Sequence, residues 1–152
     1  MDRLTKDSKE FIELLSSNGV EYLVVGGHAV AFHGYPRFTG DLDIWVRTSP
    51  ENATRLDRVL AAFGFAETEA LVAIFSEPGN MLQLGVPPNR IDVLSQISGL
   101  EFAEAWPNRI QGDLNGIAVG IIGVEDLIRN KRASGRLKDL ADVDEITKVQ
   151  GR

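Results

Sequence analysis

Apolar and polar positions change period from block to block along this chain, and each period predicts an element. Residues 5–17 place Phe11, Ile12, Leu14 and Leu15 on one helical face, and Gly19 stops the run. "EYLVV" (21–25) reads as a buried strand, and "GGHAVAFHG" (26–34) as a short helical turn bounded by glycines. "DLDIWV" (41–46) is a second strand. "SPENATRLDRVLAAFG" (49–64) carries the signals of a helix, with Ser49 as N-cap, Pro50 in the first position and Gly64 past the end. "LVAIFS" (71–76) and "NMLQLG" (80–85) read as strands around an "EPG" turn. "VPPN" (86–89) is another turn, and "RIDVLSQI" (90–97) a further strand. "LEFAEAW" (100–106) is a short helix closed by Pro107, and "RIQGDLNGIAVGII" (109–122) is a hairpin turning at Asn-Gly. "VEDLIRNKRAS" (124–134) and "LKDLADVDEITKV" (137–149) are helices divided at Gly135. The mixture predicts an α/β (α+β) fold, a mixed β-sheet flanked by helices. No repeat or linker interrupts it, so the 152 residues read as a single domain, 1–152.

Composition narrows the class. A chain of this length buries roughly 68–70% of its unfolded surface and needs no staple to fold. The absence of cysteine excludes a thiol nucleophile and Cys-ligated zinc, and suits a reducing compartment. The start, "MDRLTKDSKEF", is charged, and no apolar run approaches the ~20 residues of a membrane span. These features predict a cytoplasmic protein with no membrane partner. A net charge of −6 makes the chain a poor general nucleic-acid binder unless its cations cluster. They cluster once, in "RNKRASGRLK", as Arg129, Lys131, Arg132, Arg136 and Lys138 with no acid between them.

The candidate chemistry lies earlier. Alternation along a strand turns Asp41 and Asp43 to one face, with alpha carbons about 6.6–6.8 Å apart. Two ionised carboxylates so placed repel unless a cation sits between them. Paired divalent ions about 3.5–4 Å apart clamp the attacking and leaving oxygens of a phosphoryl-type displacement, and magnesium accepts a few carboxylates completed by substrate phosphates. Gly26 and Gly27, between a strand and a helical turn, would let a phosphate approach the backbone. Alone, an Asp-x-Asp is a solvated edge and a Gly-Gly is a turn. In this order they suggest a phosphate cradle beside a metal cradle. Asp92, in the apolar "RIDVL", either faces water on an edge or joins Asp41 and Asp43, where it could also accept the proton of an attacking hydroxyl.

The ordered set of apolar-Gly26-Gly27, Asp41-Leu42-Asp43 and Ile91-Asp92-Val93 resembles the nucleotidyltransferase superfamily, with the DNA polymerase beta type of catalytic fold. "GGHAVAFHGYPRFTGDLDI", followed by "KRASGRLKDLADV", is similar to its bacterial branch that includes abortive-infection toxin nucleotidyltransferases. The resemblance spans about Tyr22 to Val143. It implies a metal-dependent enzyme that moves an NMP from an NTP to an acceptor hydroxyl on tRNA, protein or a small molecule, releasing pyrophosphate. It implies two Mg2+ (or Mn2+) ions on Asp41, Asp43 and Asp92, with Asp92 as base. It implies that Gly26, Gly27, Thr39 and Lys131 meet the nucleotide's phosphates. Arg136, Lys138 and Asp139 match the later family segment. Gly27 stands where many members carry serine, so a hydroxyl contact is missing there. The rival reading is a non-catalytic antitoxin-like or nucleotide-binding member of the same fold, acting through a toxin or antitoxin partner.

Three readings remain beside these. Arg37 either binds phosphate or pairs with a carboxylate. His28 and His33 fall about 140° apart on a helix, unlike the one-face pair of a zinc helix. Lys131 reads as an exposed helical lysine whose loss leaves stability within about ±0.5 kcal/mol. No G-x-G-x-x-G, P-loop or G-x-S-x-G is present, which argues against a dinucleotide enzyme, a P-loop kinase or a nucleophile-elbow hydrolase.

Overall fold

The structure, a computed structural model, describes residues 4–35, 40–64, 73–87 and 89–151. The chain runs α1 (Lys6–Ser17), β1 (Tyr22–Val25), α2 (Gly26–Phe32), β2 (Leu42–Val46), α3 (Pro50–Ala62), β3 (Met81–Leu84), β4 (Ile91–Leu94), α4 (Phe102–Ala105), β5 (Ile110–Leu114), β6 (Ile117–Ile121), α5 (Val124–Ser134) and α6 (Leu137–Val149). A 3-10 turn, Trp106–Asn108, extends α4 and holds Pro107 inside it.

The six strands form one mixed sheet in the order β3-β4-β2-β1-β6-β5. β1 is central and buried along its length, pairing antiparallel with β2 and parallel with β6. β2 pairs parallel with β4, and the hairpins β3–β4 and β5–β6 complete the two edges. The β5–β6 hairpin turns at Asn115 and Gly116, whose φ angles of 55° and 87° are those of the tight turn that Asn-Gly favours. α1 buries Phe11, Ile12 and Leu15 against α3 and β6. Its N-cap, Thr5, accepts a hydrogen bond from the Ser8 N–H at 3.1 Å. Ser49 caps α3 in the same way, accepting from Asn52 N–H at 3.1 Å, with Pro50 behind it. Among the described residues no helix is long and apolar enough to cross a membrane.

One expected strand is not extended among the described residues. Of "LVAIFS", residues 71–72 lie outside the described residues, while 73–75 are helical rather than extended. A short apolar run has no period to separate a strand from a buried helical turn. Here Phe75 is fully buried in the core, and Asn80 Nδ2 donates to Ile74 O at 2.8 Å, tying that turn to the start of β3.

Candidate active site

Strand register brings the three aspartates together. Asp43 is the direct partner of Asp92 across the parallel β2–β4 pair, and of Val25 across β1–β2. Neighbouring strands lie about 4.8 Å apart, so the two carboxylates share one face of the sheet. Asp41, two residues before Asp43, lies on the same side. All three line one recess of about 610 Å³, together with Gly26, Gly27 and the ends of α5 and α6.

The recess is electrostatically unbalanced. The Asp43 carboxyl is pushed up to about 7, first by burial, then by the charge of Asp92 and a hydrogen bond with it, and then by Asp41, with Lys131 pulling weakly the other way. One cation answers the other two acids, and sequence reading did not single it out. Arg90 Nε and Nη2 reach Asp92 Oδ1 and Oδ2 at 2.7 and 3.1 Å, a two-pronged clamp. Its Nη2 lies 3.6 Å from Asp41 Oδ2, and its backbone N–H donates to Asp41 Oδ1 at 3.0 Å. The signal was present in "RIDVL": a residue two before Asp92 must share its face.

Gly26 is required by two separate constraints. Its φ is +68°, and a Cβ there would run into Asp43 Oδ2 and stand 2.9 Å from Asp43 Cγ. Replacing Gly26 with Ala is expected to cost about 1–3 kcal/mol and to push Asp43 out of line with Asp92. Thermal melting with a nucleotide-transfer assay checks this. A variant that melts and transfers like the wild type would show that the turn absorbs the added methyl.

The basic segment divides. Lys131, Arg136 and Lys138 line the recess. Arg129 instead pairs with Glu104 at 3.4 Å. Lys131 is not an exposed helical lysine: it is 5% exposed, with Nζ 3.2 Å from both Asp139 Oδ1 and Asp142 Oδ2. Asp139 also accepts from Ser134 Oγ and Arg136 Nε, each at 2.7 Å. Burial pushes the Asp139 carboxyl up, but the bonds from Arg136, Ser134 and Lys131 outweigh it and hold the carboxyl well below the usual range. Lys138 has no carboxylate partner among the described residues. Arg37 and Thr39 lie outside the described residues. His28 and His33 are buried, and His33 Nε2 donates to Ile122 O at 2.7 Å, a bond that fixes α2 to the end of β6.

Among the described residues no group of three or more His, Asp or Glu is drawn around a metal position. The donor set still fits a hard divalent cation. Three carboxyl groups share one face, one of them is pushed up to about 7 by burial and then by the other two, and an arginine fork fills the position between those two.

This sheet, with its strand-borne acids beside a Gly-Gly turn, has the nucleotidyltransferase fold. A structure from Thermotoga maritima, assigned as a nucleotidyltransferase, superposes with a TM-score of 0.56 at 14% identity, covering 95% of this chain and 91% of its own. An antigenic nucleotidyltransferase-like protein from Paracoccidioides brasiliensis gives 0.53 at 17% identity, over 97% and 78%. The antibiotic-resistance factor ANT(2'')-Ia gives 0.60 at 13% identity, over 93% and 80%. At these identities the likeness is one of fold. No family model matches the sequence, and no curated protein matches it.

Proposed function

We propose that the chain is a metal-dependent nucleotidyltransferase that moves an NMP from an NTP to an acceptor hydroxyl. The observation that carries this is the register pairing of Asp43 with Asp92, with Asp41 on the same face, at the floor of a recess lined by Gly26, Gly27 and four cations. Asp41, Asp43 and Asp92 would hold two Mg2+ or Mn2+ ions, which supply charge neutralisation of the triphosphate and activation of the acceptor oxygen. Gly26 and Gly27 leave room for the phosphates against the backbone. Lys138 and the outer edge of Arg136, whose side chain is 67% exposed, meet phosphate oxygens from the opposite wall. Lys131 acts through Asp139, setting the angle at which α6 presents these two cations. The acceptor oxygen attacks the α-phosphorus in line, its proton passes to Asp92, and the bond to pyrophosphate breaks.

The acceptor belongs to one of three classes: tRNA, a protein hydroxyl or a small molecule. A second reading has support in the clamp of Arg90 on Asp92, which is what a domain that holds nucleotide without turnover, and works through a toxin or antitoxin partner, would also show. Incubation with each α-labelled NTP, Mn2+ and separate pools of tRNA, cell protein and cell small molecules decides between them. Label is expected in one pool and absent with Asp41→Asn. Nucleotide binding without label in any pool would move the chain to the second reading.

A further inference from the structure

Arg90 sits between two carboxylates of the acidic cluster, Asp41 and Asp92, and its contacts are of two kinds. The backbone N–H bond to Asp41 Oδ1 fixes the strand start and does not depend on the side chain. The guanidinium bonds are different. They cover both oxygens of Asp92 in the plane of the carboxylate and approach the second oxygen of Asp41. Those are the lone pairs through which a carboxylate ligates a hard cation. The side chain is also 26% exposed, so it has a solvent-side path out of the clamp.

We propose that Arg90 is the resident counter-ion of the acidic site, displaced when a divalent cation enters, and that its guanidinium then turns to the polyphosphate in the same recess. The physical reason is charge and geometry. A single guanidinium neutralises part of the carboxylate charge while no metal is bound, which ties the start of β2 to β4. It also competes directly with a cation for Asp92. A polyphosphate offers the freed fork an equivalent two-pronged anion. Metal loading is thereby coupled to nucleotide: the cation alone must break the clamp, whereas a phosphate-bearing ligand compensates for the break. This deepens the nucleotidyltransferase reading and rests on it for the phosphate, but not for competition at the carboxylates.

The test uses two probes on the intact chain, Mn2+ alone and tripolyphosphate with a divalent cation present. Free Mn2+ is counted by electron paramagnetic resonance during titration of the wild type, Arg90→Gln and Arg90→Lys. Arg90→Gln is expected to bind Mn2+ about tenfold more tightly than the wild type, a typical coupling between two linked sites. Arg90→Lys keeps the charge but loses the fork, and is expected to fall between them, so it serves if the glutamine variant does not fold. Inorganic tripolyphosphate is followed by calorimetry in saturating Mg2+, the condition that frees the guanidinium, and its affinity is expected to drop about tenfold in Arg90→Gln. Unchanged or weaker Mn2+ binding in both variants would overturn the counter-ion role. Unchanged tripolyphosphate affinity would overturn the transfer to phosphate. Failure of label transfer with the Mn2+ result intact would remove the enzyme reading and leave the counter-ion in place.

Discussion

Asp43→Asn is expected to raise the melting temperature of the metal-free protein at pH 8 while abolishing nucleotide transfer. In the folded chain Asp43 holds its proton up to about 7, against an ordinary value of 3.8. The native state therefore binds the extra proton between these values. The stabilising share of this group is complete below pH ~4 and is lost as pH rises through ~7. At pH 8 the ionised carboxylate costs the fold on the order of 4 kcal/mol, less whatever local relaxation recovers. An amide of the same shape removes that charge. With about 2–4 °C per kcal/mol for a chain of this size, a gain of ~5 °C or more at pH 8 is expected, shrinking to roughly a third of that at pH 5 and vanishing only below pH ~4. Transfer falls because a neutral amide is a poor ligand for a hard cation. Asp41→Asn should behave differently, because Asp41 is held by Arg90 through both backbone and side chain, and its charge is answered. Melts of both variants at pH 5 and pH 8 without metal check this. A lower melting temperature for Asp43→Asn at pH 8 would mean that Asp43 is structural before it is a ligand.

Lys131→Met should be severely destabilising. Its ammonium is the cation shared by two buried carboxylates, those of Asp139 and Asp142. Removing one partner of a buried ionic group costs about 3–5 kcal/mol, because the remaining charge has lost its counter-ion. A fall of roughly 10 °C in melting temperature follows from the scaling for a chain of this size. Adding Asp142→Asn should recover part of the loss, while nucleotide affinity, if it depends on Lys138 and Arg136, follows the recovery. Asp139 acts on pH stability with the opposite sign to Asp43. Its depressed value means that its contribution is present above the ordinary carboxylate range and is lost only as the pH falls below it. A Lys131→Met melt within a degree of the wild type would restore the solvated-lysine reading.

Much of the architecture was legible because its signals are local. The cap at Ser49, the Asn-Gly turn and the break at Gly135 each bound an element within a few residues of its observed end. The pairing of Asp41 and Asp43 on one face follows from the period of a strand alone. "LVAIFS" failed for the same reason in reverse: five apolar residues in a row carry no period, and where the run is described Phe75 enters the core from a helical turn.

What the sequence by itself determined is therefore the list of elements and the chemical character of the site: strand-borne acids next to a glycine turn. Which strands are neighbours was decided only in three dimensions. Asp92 joins Asp43 because β4 happens to pair in parallel with β2, a contact between segments 49 residues apart. Arg90 and Lys131 carry the same lesson. Each is a charged residue whose role depends on which carboxylates surround it, and that is set by strand register and by the packing of α5 on α6. A lysine in a polar helix reads as solvated from composition. Only the tertiary fold, by burying it between two aspartates, makes it part of the scaffold on which the site is built.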